Sequence, residues 1–174
     1  MKRKGFTLTE LLITIAAIAV MLTMFMLSSV NASRSADYNK VITNLRNLSI
    51  AAMTYYSQNV GKDFVGSETT KKNITSDVKK YLSNITGLQD GSNYYVYINV
   101  ADNPDSWWAG YKVNMSGQGT WSTEETALSQ RLETRAQSLN LRPSDDETTL
   151  PKVSDSGRYS KGKKYVWMLI RSGK

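Results

Sequence analysis

Residues 11–30 form an uninterrupted uncharged, mostly apolar run, and the stretch after it repeats apolar side chains every three or four positions. As a helix rising roughly 1.5 Å per residue, the first run is about 30 Å long, the thickness of a bilayer's hydrocarbon core, and predicts a membrane-spanning segment. The second places Tyr38, Val41, Ile42, Leu45, Leu48, Ala52, Tyr55 and Tyr56 on one side, with Asn39, Lys40, Asn44, Arg46 and Asn47 on the other. That is the pattern of a helix with one buried face. No glycine occurs between Gly5 and Gly61 and no proline before Pro104, so one helix is expected from Phe6 to about Gln58, a rod of about 80 Å. Its apolar stripe demands a covering surface.

Beyond Gly61 the pattern changes. Residues 61–72 are polar and loop-like, and Thr75 or Ser76 is expected to cap a short helix bearing Val78, Tyr81, Leu82 and Ile85 and closed by Gly87. A hairpin is predicted from residues 94–100, a turn at Asp102-Asn103-Pro104-Asp105, and residues 107–115. Alternation puts Tyr94, Val96, Ile98 and Val100 on one face of the first strand, and Trp107, Ala109, Tyr111, Val113 and Met115 on one face of the second, as core against the long helix. The opposite face shows Tyr95, Tyr97, Trp108 and Lys112, an aromatic stripe expected to be covered by a later segment rather than to hold a ligand. Ser122-Thr123-Glu124-Glu125 is a capping-box signature opening a helix with Leu128, Leu132, Arg135 and Leu139. After a turn-rich stretch around Pro143 and Pro151, residues 164–171 predict a central or doubly covered strand, being nearly continuous in apolar content. The fold class is α+β: a long N-terminal helix packed on a small antiparallel sheet.

Charge is concentrated ahead of the apolar run. Lys2, Arg3 and Lys4 precede Gly5 and Phe6, and Glu10 stands at the entrance to the span. The three cations orient the amino end to the cytoplasm. A carboxylate in a spanning helix costs about 2.5–3.5 kcal/mol at the bilayer centre and less near the interface, so Glu10 calls for a partner, most simply an amine.

The segment Lys4-Gly5-Phe6-Thr7-Leu8-Thr9-Glu10-Leu11-Leu12 resembles the class III signal of type IV prepilins and pseudopilins. The resemblance implies a dedicated prepilin peptidase that cuts between Gly5 and Phe6 and methylates the new amino terminus. It implies that Glu10, fifth after the cut, pairs with the N-terminal amine of a neighbouring subunit as a filament is built on an inner-membrane assembly platform. Residues 1–5 are then a leader peptide, 6–30 the transmembrane and assembly helix, and 31–174 an extracytoplasmic α+β pilin head. The precursor would sit in the cytoplasmic membrane as a single-pass protein, and the product in an extracellular or periplasm-spanning filament of this and related subunits. Two features depart from the family. Many members carry a glycine and a proline inside the anchor where this chain has Ala19 and Leu27, and many tie a C-terminal loop with a disulfide, whereas this chain has no cysteine. The unbroken anchor leaves room for a minor or divergent subunit. The competing interpretation of the N-terminus is a secretory signal cut after Val30-Asn31-Ala32 to release a chain starting at Ser33, but its apolar core is longer than such signals use and Glu10 has no task in it.

With no histidine and no cysteine, the commonest nucleophiles and metal ligands are missing, and neither an enzyme nor a resident cofactor is expected. Asp145-Asp146-Glu147 lacks the spaced oxygens and turn glycine of a calcium loop and is expected to be a solvated acidic loop, with calcium the less favoured alternative. Net charge is +7 in the full chain and +4 once Lys2, Arg3 and Lys4 are removed, too modest to imply nucleic acid by itself. Arg158, Lys161, Lys163 and Lys164 flank the last predicted strand and are the candidate contacts for an adjacent subunit, through Asp145, Asp146 and Glu147, or, less favoured, for DNA. The expected role is a pilin or minor pilin. The alternatives are a pseudopilin of a type II secretion or DNA-uptake apparatus and, in another class, a monomeric membrane-anchored binding protein.

Overall fold

The computed structural model describes residues 7–64, 66–82, 93–102, 105–113 and 120–172. The chain divides into two compact units, Met1–Ala36 and Asp37–Lys174, and helix α1 (Leu8–Gln58) contributes to both.

In the first unit every described residue from 7 to 30 is exposed. A helix that is apolar on all sides and covered on none is unsuited to water. Among the described residues α1 is the one helix long and apolar enough to cross a membrane. Two of its threonines satisfy their hydroxyls internally: Thr14 Oγ1 donates to the Leu11 carbonyl and Thr23 Oγ1 to that of Val20, both at 2.7 Å. Such bonds remove most of the penalty for a hydroxyl in hydrocarbon. With Ala19 and Leu27 in place of helix breakers, α1 runs through this region without interruption.

The second unit is a five-stranded, wholly antiparallel sheet in the order β1-β2-β3-β5-β4, with β1 (Lys71–Asn73), β2 (Tyr94–Asn99), β3 (Ser106–Lys112), β4 (Leu141–Ser144) and β5 (Tyr165–Ser172). Its inner face shares one core with α1 and with α3 (Thr123–Arg135): Val41, Ile42, Leu45, Leu48 and Ala52 meet Val96, Ile98, Trp107, Ala109 and Val166, and Leu128 and Leu132 close it. This is the stripe that periodicity demanded be covered, with one amendment. Asn44, expected on the polar side, is buried, and its amide donates to the Tyr94 hydroxyl at 3.1 Å, which is how a polar group is tolerated inside. The capping box of α3 is present: Glu125 N–H donates to Ser122 Oγ at 3.1 Å, and Ser122 N–H to Glu125 Oε2 at 2.7 Å.

The expected cap of the short helix and the loops expected around Lys71 and Pro143 are corrected. The short helix α2 (Thr75–Lys79) has Ile74 at its N-cap and no side-chain cap; the Thr75 hydroxyl instead accepts from Val96 N–H at 2.8 Å, tying the helix to β2. Ile85, Gly87, Asn103, Pro104 and Met115 lie outside the described residues. The polar stretch around Lys71 and the turn-rich stretch around Pro143 each contain an edge strand, β1 and β4. Both are too short to show alternation, and Pro143 sits where an edge strand accepts a residue without an N–H.

β5 is central between β3 and β4. Its register slips beside Trp107 and Trp108, which pair with Arg171 and Leu169 and leave Ile170 as the extra residue. Simple alternation would send Arg171 to the outer face with Trp167 and Leu169; a bulge reverses the side. Its guanidinium therefore lies 3.7 Å from the centre of the Tyr56 ring, near Trp107, at the end of the core.

Candidate functional site

Lys2, Arg3, Lys4, Gly5 and Phe6, the predicted orientation and processing residues, lie outside the described residues. The description begins one residue later, at Thr7, and the first feature met is a second capping box. Thr7 N–H donates to Glu10 Oε2 at 2.9 Å, the Thr7 hydroxyl donates to the same oxygen at 2.7 Å, and Glu10 N–H approaches Thr7 Oγ1 at 3.3 Å. Thr7-Leu8-Thr9-Glu10 is therefore a Thr-x-x-Glu box in which the carboxylate satisfies an N-terminal N–H that the helix itself leaves open.

The two carboxylate oxygens of Glu10 differ in their surroundings. One oxygen, Oε2, starts the helix and is held by both Thr7 groups. The other, Oε1, makes no hydrogen bond among the described residues, and the side chain is exposed. An anion at a helix N-terminus is also favoured by the helix dipole. A cut between Gly5 and Phe6 would leave the Thr7 N–H an ordinary peptide amide, so the box would survive it. The Thr-x-x-Glu spacing was legible in the sequence, as at Ser122.

Of the four basic candidates, one has its side chain paired within the chain among the described residues. Lys163 Nζ bonds Asp145 Oδ2 of its own chain at 2.7 Å. Lys161 offers its backbone N–H to Glu133 Oε1 at 3.1 Å, and the Lys164 carbonyl accepts from Val113 N–H at 2.8 Å. Arg158 is exposed on the connection leading to β5.

The acids proposed to receive those cations are likewise engaged at home. Asp146 Oδ1 accepts the N–H groups of Thr148 and Thr149, both at 2.7 Å, and the Thr148 hydroxyl foremost holds its carboxyl below the usual range. Glu147 accepts from the Tyr97 hydroxyl. Among the described residues no group of three potential metal ligands gathers.

Residues 1–26 match the family described as the prokaryotic N-terminal methylation motif. No curated protein and no solved structure matches the chain. The matched stretch contains the predicted cut, Glu10 and most of the span. It matches the prepilin signal of type IV pilins and pseudopilins, which implies processing by a prepilin peptidase and fits membrane anchoring of a precursor. The long helix followed by a small antiparallel sheet is a type IV pilin-like arrangement.

Proposed function

We propose that this chain is a pilin or minor pilin: stored in the cytoplasmic membrane, cut between Gly5 and Phe6, methylated at Phe6, and polymerised through its N-terminal helix into a filament that displays residues 31–174. The observation that carries the proposal is the pairing of a fully exposed apolar helix with a carboxylate at its head. Outside the membrane such a helix needs other helices to cover it, and Glu10 Oε1 needs a cation that a neighbour's N-terminal amine would supply. Among the described residues neither need is met within one subunit. A monomeric anchored binding protein is therefore the weaker reading. The activity is assembly and display, with no catalytic step and no cofactor.

The pseudopilin alternative shares every one of these features and differs in the machine that uses them. The unbroken α1 through Ala19 and Leu27 favours a minor or divergent subunit over one whose anchor must melt locally.

The test is the amino terminus. Mass spectrometry of the membrane-extracted protein should give N-methylated Phe6 in the parent and Met1 in Gly5→Val, whose side chain would obstruct the peptidase at the cut. A chain starting at Ser33 would overturn the proposal in favour of an ordinary secretory signal. Correct cutting with no filaments on the surface, seen by imaging with an antibody to the head, would favour the secretion or uptake alternative.

A further inference from the structure

The outer face of the sheet is not bare. Tyr97, Trp108, Tyr165 and Trp167 form a second apolar cluster there, between 0% and 8% exposed, and among the described residues none of the hydrophobics packed against it belongs to a helix. Their cover comes from the connection between β4 and β5. The chain leaves the sheet after Ser144, the end of β4, and returns at Tyr159, whose N–H donates to the Leu141 carbonyl at the start of β4 at 2.8 Å. Residues 145–158 are thus an excursion that begins and ends on the same edge strand, the form of an Ω-loop.

The tip of this excursion reaches the opposite edge. The Lys71 ammonium donates to the Glu147 carbonyl at 2.9 Å and lies over the Tyr97 ring; the Tyr97 hydroxyl donates to the Glu147 carboxylate. Further along, the Asn99 amide donates to the Pro151 carbonyl at 3.2 Å and Val153 N–H to Asp102 Oδ2 at 3.3 Å. Within the excursion Leu150 packs against the cluster and Pro151 is buried; the rest of it is largely exposed. Few apolar contacts and a handful of solvent-facing bonds mark a segment at the low end of local stability.

The covered face is also imperfectly satisfied. Trp167 Nε1 and Arg142 Nε are buried and make no hydrogen bond among the described residues, and the two residues are partners in the β4–β5 register. Buried donors without partners oppose the closed arrangement. The sheet ladders contribute nothing to closure and lose nothing on opening.

We propose that residues 145–158 form a hinged flap, latched by Glu147 to Tyr97 and Lys71, which opens as a unit while the sheet remains folded and so turns a buried aromatic face into an exposed one. The hinges are the two passages beside β4, at Ser144 and Tyr159. The latch is non-covalent and reversible.

Trypsin reports on the flap directly, because Lys152 and Arg158 are exposed residues within it. The full chain in detergent micelles, with Glu147→Ala and Tyr97→Phe, should be cut after Lys152 about tenfold faster than the parent, the scale set by loss of one charge-assisted hydrogen bond. Acrylamide should quench tryptophan emission more strongly in both variants, since Trp108 and Trp167 lie beneath. Amide exchange in β2, β3 and β5 should stay at parental rates. The double variant should add little to either single one, because both remove the same bond. Unchanged cutting in both single variants would overturn the proposal. So would cutting that accelerates only together with exchange in the sheet, which would mean that the flap opens by global unfolding. If Glu147→Ala fails to fold, Tyr97→Phe alone decides the matter by the same readouts.

Discussion

The ring of Trp167 lies on the backbone of Gly110, its partner across β3 and β5: a Cβ at position 110 would sit 2.2 Å from Trp167 Cζ3 and 2.3 Å from Cε3. No side chain fits there while Trp167 keeps its place beside Tyr97 and Tyr165. Gly110 is a glycine of close approach, not of turn geometry. Gly110→Ala should destabilise the second unit by about 3 kcal/mol, the upper end of ordinary overpacking. Urea denaturation of the full chain in micelles measures this. Adding Trp167→Leu should recover part of the loss, and a double variant no better than the single one would show the contact to be irrelevant.

The box at the start of α1 makes a graded prediction for assembly. Glu10→Ala removes both the cap and the charge; the subunit should insert, be cut and fold, yet yield few filaments. Thr7→Val leaves the charge and removes only the hydroxyl that steadies Oε2, so its filament yield should fall between those of Glu10→Ala and the parent. Quantifying filaments sheared from cells, beside the fraction cut, separates assembly from processing. Parental yield in Glu10→Ala would refute the charge-pair argument.

Alkaline pH should loosen the head. Burial foremost pushes the Tyr159 hydroxyl from an ordinary 10.0 up to about 12. Burial likewise raises Tyr97, helped by its bond to Glu147, and Tyr111, helped by Tyr94. An unfolded tyrosine ionises from about pH 10 while the folded one stays protonated, so the stabilisation is complete below pH 10 and is lost as pH rises through 12. For Tyr159 this amounts to about 3 kcal/mol. Urea midpoints should fall between pH 10 and 12, less steeply in Tyr159→Phe. With no histidine in the chain, they should be nearly level from pH 5 to 8.

The basic connection is expected to be quiet. Lys163 and Asp145 are 38% and 66% exposed, so Lys163→Gln should cost less than about 1 kcal/mol. Because that cation is matched within the chain, the head should not retard DNA on a gel at physiological salt. Retardation that weakens steeply with salt and with Gln at Lys161, Lys163 and Lys164 would restore the DNA reading.

Most of the architecture was legible because it repeats. The stripe from Val41 to Ala52, the alternation in β2 and β3, the Ser122 box and the apolar run of β5 each state their own period. β1 and β4 could not be read in this way. Lys71–Asn73 is polar and three residues long, and β4 contains Pro143; both are strands because a distant neighbour supplies the pairing. The cover of Tyr97 and Trp108 was expected as a later segment, but which segment depended on the bonds of Glu147, Asn99 and Asp102.

The sequence alone determined the elements that depend on neighbours within a turn or two: a membrane-length helix with a lone acid at its head, the amphipathic continuation, the hairpin and a capped α3. Local hydrogen bonds and hydrophobic period act over that range and leave their mark in spacing. Tertiary structure decided what depends on groups far apart in the chain: the order β1-β2-β3-β5-β4, the slip that turns Arg171 onto Tyr56, the seat of Trp167 on Gly110, and the binding of Lys163 and Glu147 to partners in their own chain. Those outcomes are set by register and close packing, where a shift of one residue reverses a face, and no local pattern encodes them.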